Sequence, residues 1–224
     1  MRIAILLMTD GRRQYIHQTI ASAAALLDGP ITEYWMHDDS GDEANRHWLH
    51  EQFPSFTQIG RGPRRGFGGA YSLAWKTLAA NSQADFVLGL EDDFTFNREV
   101  PLEDMAKILE ENPHMYQMAL RRQPWNNEEK AAGGIIERWP NDFEEIRQGD
   151  LVWLEHRRWF TTNPSLYRRS LLNRNWPTTK DAEGHFGIQL FLDDPKARCG
   201  FWGAKTDSPW CEHIGIQRQP GGSY

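Results

Sequence analysis

Apolar runs and apolar stripes alternate along the first half of the chain. Residues 3–8 (Ile3-Ala-Ile-Leu-Leu-Met8) form an unbroken apolar run, short enough for a strand buried on both faces. Residues 14–27 place Ile16, Ile20, Ala23 and Leu27 on one helical face, and Asp28-Gly29-Pro30 ends that helix. A second strand is predicted over 31–37, stopping at Asp38-Asp39-Ser40-Gly41-Asp42, and a short helix over 43–52. The basic, glycine-rich segment 61–69 reads as a loop opening a helix through Ala80, with Ala70, Leu73, Ala74 and Leu78 as its stripe. Residues 86–90 read as a buried strand running into Glu91-Asp92-Asp93, and Pro101 opens a helix to about Glu111. The second half is less regular. Strands are predicted over 116–120, 151–155 and 197–202, helices over 165–173 and 184–192, and loops around Gly133-Gly134. Strands alternating with helices imply an α/β fold whose sheet is mixed but mainly parallel and flanked by helices.

Composition narrows the class. With 224 residues, 39% hydrophobic and 25% charged, the chain suits one large globular domain rather than a disordered one. No stretch approaches a membrane span, and the run 3–8 is too short for a signal-peptide core, so a cytoplasmic location is expected. The net charge of -6 argues against a polyanion binder held by bulk charge. Two cysteines, Cys199 and Cys211, exclude a disulfide framework, and with His213 they lack the spacing of a zinc site. Arginines nevertheless occur in pairs, at 64/65, 121/122, 157/158 and 168/169. A groove lined by them would track phosphates, with Trp125 or Trp159 stacking on an extruded base; otherwise each pair is a solvated face or a carboxylate partner. Ten tryptophans suit either carbohydrate stacking or a bulky core.

The candidate chemistry is acidic. If the strand 86–90 continued, Glu91 and Asp93 would face one way and Asp92 the other. Ligands of open parallel sheets bind at the carboxyl ends of strands, and carboxylates crowded there need a positive partner. Mg²⁺ or Mn²⁺ would serve, its shell completed by a nucleotide diphosphate. The cluster 38–42 suits either hydrogen bonds to a base or ribose, or a helix cap. Arg65 and the amides near Gly68 suit a diphosphate, although the segment is neither a Walker loop nor a dinucleotide fingerprint. His213 suits a metal ligand, and Asp181 or Glu183, just before an apolar helix, either a cap or a general base.

Taken in order, these segments resemble GT-A glycosyltransferases of family 2. Ile3-Ala-Ile-Leu-Leu-Met-Thr-Asp10 resembles the first strand and nucleotide-contacting turn, and Leu90-Glu-Asp-Asp93 the metal-binding D-x-D motif. Phe160-Thr-Thr-Asn-Pro-Ser-Leu-Tyr-Arg-Arg169 resembles the pocket-lining segment that contains Asn163, Glu183-Gly-His-Phe186 the catalytic acid site, and His213-Ile-Gly215 the C-terminal metal histidine. Glu91-Asp-Asp-Phe-Thr-Phe96 and Arg121-Arg-Gln-Pro-Trp125 are further similar to enzymes encoded by bacteriophages of actinobacteria, which would place the protein in the host cytoplasm. The resemblance implies a single GT-A (Rossmann-like) domain over 1–218, with a nucleotide-sugar-binding half at 1–100, an acceptor-binding half at 101–218, and a tail at 219–224. It implies transfer of a sugar, with inversion, from a nucleotide diphosphate sugar to a hydroxyl on a modified DNA base, a capsid protein or a glycan. Asp93 and His213 would bind Mn²⁺ or Mg²⁺ with Glu91 in support; Glu91 departs from the aspartate usual at the first D-x-D position. Thr9, Asp10 and Asp39 would read base and ribose, Asp92, Trp125 and Asn163 would line the substrate site, and Glu183 would be the base with Asp181 as its alternative. Nucleotidyl transfer on a similar sheet, or a carbohydrate-binding module without catalysis, are the other readings.

Overall fold

The first strand alternates its side chains between two cores. Ile3, Ile5 and Leu7 enter one, and Ala4, Leu6 and Met8 the other. This explains its uninterrupted apolar sequence: a strand covered by helices on both faces has no polar side. The computed structural model describes residues 1–215. The expected tail at 219–224, and 216–218 of the expected domain, lie outside the described residues.

A nine-stranded sheet runs in the order Thr57–Ile59, Ile31–Asp38, Ile3–Thr9, Phe86–Glu91, Ser165–Arg168, Met115–Ala119, Arg198–Trp202, Leu151–His156, Glu144–Gln148. The first four strands in this order are mutually parallel. Ser165–Arg168 then pairs antiparallel with both neighbours, Arg198–Trp202 returns parallel to Met115–Ala119, and the last two strands form an antiparallel edge. Helices Arg13–Leu26 and Leu102–Glu111 bring Ile16, Ala23, Met105 and Leu109 to one core. Helices Gly66–Asn81 and Ala182–Asp193 bring Ala70, Trp75, Phe186 and Leu190 to the other.

Several expectations from the sequence need correction. Residues 165–173 are not a helix: Ser165–Arg168 is a central strand, and a 3-10 turn covers Arg169–Asn173. Ser165, Leu166 and Tyr167 are all buried, so successive residues are apolar-facing and the alternation of a half-exposed strand is lost. The stretch around Gly133-Gly134 is not simply loop, since short helices span Asn127–Ala132 and Ile135–Arg138. The segment 61–69 is only half loop, because the helix already begins at Gly66. Strand Thr57–Ile59, too short to show a period, closes the sheet edge.

Two glycines set how closely the second layer packs. A Cβ at Gly68 would collide with the carbonyl oxygen of Pro177, and one at Gly187 would lie 2.7 Å from the Phe160 amide nitrogen. Around them Tyr71, Trp176 and Phe186 stack in series, with ring centroids 4.8 and 4.5 Å apart. This aromatic wedge locks helix Ala182–Asp193, and so Glu183 in its first turn, against helix Gly66–Asn81.

Candidate active site

The carboxyl ends of three parallel strands lie side by side. Thr9 is in register with Asp38, and Met8 with Glu91. Ligand sites of open α/β sheets form at such an edge. Thr9 and Asp10 therefore meet Asp39 and Glu91 around a small pocket of about 30 Å³, closed in by Arg12 and Phe67. Beside it opens a cleft of about 420 Å³ whose lining includes Glu91, Trp125, Asn163, Asp181, Glu183 and His213.

The chain turns immediately after Glu91, so the expected strand alternation fails at the acidic tripeptide. Asp92 and Asp93 both reach Arg12, one on each terminal nitrogen of its guanidinium, while Arg12 Nε lies 2.8 Å from Asp10 Oδ1. The positive partner demanded by these acids is thus supplied in part by the chain itself. Arg12 is the main functional residue that the sequence reading missed. Its partners Asp92 and Asp93 lie about 80 positions away in sequence, and nothing local in Arg12-Arg13 links it to them.

Asp92 requires a correction. It was expected to contact substrate, but it is fully buried, accepting a hydrogen bond from Thr9 Oγ1 at 2.5 Å while its main-chain carbonyl accepts one from Thr19. It positions Thr9 and Arg12 from behind. Burial pushes its carboxyl up to about 7 despite the opposing pull of Arg12. Asp39 accepts the amide hydrogens of Arg65 (2.7 Å) and Gly66 (2.8 Å), so it holds a helix start as well as lining the small pocket. The Arg65 side chain is exposed, and Gly68 faces Pro177 and Ala182, which gives that glycine a packing duty.

Asp93 and His213 do come together: His213 Nε2 lies 3.0 Å from Asp93 Oδ2. Burial alone would raise the Asp93 carboxyl, but the His213 hydrogen bond and Arg12 outweigh it and hold it below its ordinary value. The imidazole is sandwiched between Phe94 at 4.6 Å and Trp125 at 4.0 Å. Gln123 clamps its backbone, accepting from His213 N at 2.9 Å and donating to His213 O at 3.0 Å. Trp125 therefore stacks on the histidine, where base stacking was expected.

Glu91 accepts a hydrogen bond from the Tyr71 hydroxyl at 3.0 Å. Burial, and then the proximity of Asp93 and Glu183, push it up to about 8. In an unfolded chain this group ionises near 4.5, so the folded state holds an extra proton between those values and stability falls as pH rises through the window. Glu91→Gln should flatten that fall. Melting temperatures of wild type and variant at the two ends of the window check it; parallel losses would mean that Glu91 is ionised throughout.

Glu183 faces the cleft from the first turn of its helix. Its Oε1 accepts from the Thr162 amide at 2.5 Å and the Thr162 hydroxyl at 3.1 Å. Burial raises its carboxyl above the ordinary value, with Thr162 pulling the other way. Asp181 caps the same helix, accepting from Gly184 N at 3.4 Å, and is exposed. Thr162 lies in the segment expected to line the pocket, but its hold on Glu183, like that of Tyr71 on Glu91, has no signal in sequence.

The metal reading can be tested on the donor atoms. Asp93 Oδ1 is buried without a hydrogen-bond partner, an acceptor with nothing to accept from. One carboxylate and one imidazole suit Mn²⁺, and a hard cation often takes few protein ligands plus substrate phosphates. Among the described residues no three His, Cys, Asp or Glu side chains converge as a ready metal site. The pair Asp93–His213 fits as a partial site that a diphosphate would complete.

The arginine pairs are scattered: Arg64 and Arg65 are exposed, with Arg64 3.4 Å from Asp10, and of the others Arg122 borders the cleft. Arg121 donates to the carbonyls of Ala204, Lys205 and Asp207, and Arg122 to Glu129. Arg157 donates to the carbonyls of Phe191 and Pro195, and Arg158 to Asp142. Arg168 and Arg169 reach the carbonyls of Asn112 and Ala79. The tryptophans divide: Trp75, Trp153, Trp176 and Trp202 are core, whereas Trp125 and Trp159 border the cleft.

The model of glycosyl transferase family 2 matches residues 5–176, and the chain belongs to that family. No curated protein matches the chain at a significant level. Among solved structures it is similar to S. aureus TarS 1–349 in complex with UDP-GlcNAc, at 18% identity and a TM-score of 0.63, covering 98% of this chain and 60% of that one. It is also similar to the mannosyltransferase PcManGT from Pyrobaculum calidifontis in complex with GDP-Man and Mn²⁺, at 14% identity and a TM-score of 0.62, covering 96% of this chain and 57% of that one. The chain thus spans about 60% of the length of these structures, and the likeness establishes the GT-A fold. Family membership favours glycosyl transfer over nucleotidyl transfer or a non-catalytic module. Among the described residues, no helix is long and apolar enough to cross a membrane.

Proposed function

We propose that this chain transfers a sugar from a nucleotide diphosphate sugar to a hydroxyl acceptor, with inversion at the anomeric carbon and with help from a divalent cation. The observation that carries the reading is the pairing of Asp93 with His213 at one side of a cleft that Glu183 enters from another element. The neighbours bound to UDP-GlcNAc and GDP-Man support the donor class, and the neighbour with Mn²⁺ supports the cation.

In this reading Thr9, Asp10 and Asp39 border the base and ribose. Arg12, which closes the small pocket, and Arg64, which lies 3.4 Å from Asp10, border the path of the diphosphate. Asp93 and His213 would hold Mn²⁺ or Mg²⁺, which supplies charge stabilisation for the departing diphosphate. Glu91, which accepts from Tyr71 and lines the cleft beside His213, would support this centre. Glu183 takes the proton of the acceptor hydroxyl as its oxygen attacks the anomeric carbon from the face opposite the diphosphate. The new C–O bond forms as the bond to the phosphate oxygen breaks, and the electron pair leaves with the nucleoside diphosphate. Thr162 keeps Glu183 aimed, and Asn163 lines the same wall. Asp181, exposed and capping the same helix, is the alternative base.

Product analysis tests the reaction class. Incubation with nucleotide sugars should release nucleoside diphosphate in step with sugar transfer. Release of pyrophosphate would assign nucleotidyl transfer instead, and glycan affinity without any donor turnover would assign a binding module.

A further inference from the structure

The cleft beyond the Asp93–His213 pair has a definite chemical character. Its wall includes Trp159, Phe160 and Ile135, and its acidic lining includes Asp181 and Glu183. Two lining residues carry basic groups. Arg122 is held by both carboxylate oxygens of Glu129, at 2.6 and 3.1 Å, and His213 is held by Asp93. Neither is available to a phosphate on an acceptor.

Trp159 is half-buried and braced from behind by Trp139, His156 and Phe143, with ring centroids 5.4, 5.6 and 6.1 Å away. Arg158 packs over Trp159 and Trp139, and its charge is met by Asp142. His156 is buried and held neutral, pushed down to about 3 by burial and by Arg158. The tryptophan is therefore a rigid apolar plate backed by groups that add no free positive charge. A rigid aromatic surface loses little side-chain freedom on binding and suits the apolar face of a ring. The acids around it suit the hydroxyl groups on the rim of such a ring, and they repel a polyanion.

We infer that the acceptor is an uncharged, polyhydroxylated ring, a neutral sugar whose apolar face lies on Trp159 and whose reacting hydroxyl points to Glu183. This rests on the glycosyl-transfer reading and adds the acceptor class to it. A nucleic acid would need several unpaired cations along the cleft, and the arginine in its lining, Arg122, is held by Glu129.

The test measures binding and turnover separately. Saturation-transfer NMR on the wild-type protein, with methyl glucoside, galactoside, mannoside and N-acetylglucosaminide as probes, should show ring-proton signals for at least one glycoside. Trp159→Ala should weaken that signal about tenfold, an estimate for losing one stacking partner, and Trp159→Phe should retain most of it. A single-stranded oligodeoxynucleotide should not compete. Absence of any glycoside signal, an unchanged signal in Trp159→Ala with its fold intact, or salt-sensitive competition by the oligonucleotide would overturn the inference. Nucleoside diphosphate release is followed in parallel. Glycoside binding without donor turnover would count against the proposed reaction and leave the acceptor class standing. Turnover stimulated by the oligonucleotide and by no glycoside would count against the acceptor class alone.

Discussion

Glu183→Gln should keep the fold and donor binding while kcat falls by about 10²–10⁴, the usual contribution of a positioned general base. The amide is isosteric and can still accept from Thr162 through its oxygen, so geometry survives and only the proton acceptor is lost. The pH profile gives an independent check. A base works only when ionised, so kcat/KM should rise with pH through the Glu183 pKa. Burial sets that value above the ordinary glutamate range, and the acid limb should lie correspondingly high. In the variant the limb should disappear. A normal rate in Glu183→Gln would mean that another group, Asp181 first, takes the proton.

Asp93→Asn should have the second large effect, on binding. Asp93 is buried, meets His213 and Arg12 through one oxygen and leaves the other unpartnered. Replacing even an outer partner of a metal ligand typically costs about 10–100-fold in affinity, so changing the ligand itself should cost at least that. Cation-dependent affinity for nucleoside diphosphate should therefore collapse, and the melting temperature should fall with it because Arg12 and His213 lose a buried carboxylate partner. A loss of stability with cation dependence intact would make Asp93 only a partner of Arg12.

The sequence showed the frame of this site more clearly than its contents. The runs at 3–8 and 86–90 marked the strands, and the acids after them marked the strand ends where ligands bind, because those signals are local. Ser165–Arg168 was misread because a four-residue strand buried on both sides has no period to show. Asp92 was placed at the substrate site by the resemblance, and its burial against Arg12, Thr9 and Thr19 appears only once the chain turns after Glu91. Arg12 was missed because it sits in an ordinary polar turn, and its role exists only once the first strand lies beside Phe86–Glu91. The arginine pairs suggested phosphates because guanidiniums do favour them. In the fold most of them satisfy main-chain carbonyls, a demand that sequence alone does not display.

The account depends on Asp93 and His213 holding, with a cation, the diphosphate of the donor. Isothermal titration calorimetry of the wild-type protein with UDP and with GDP, each with and without Mn²⁺, tests this directly. At least one nucleotide should bind with Mn²⁺ and lose most of its affinity when the ion is removed. Equal affinity with and without Mn²⁺ would contradict the account and leave Arg12 as the cation that serves the diphosphate.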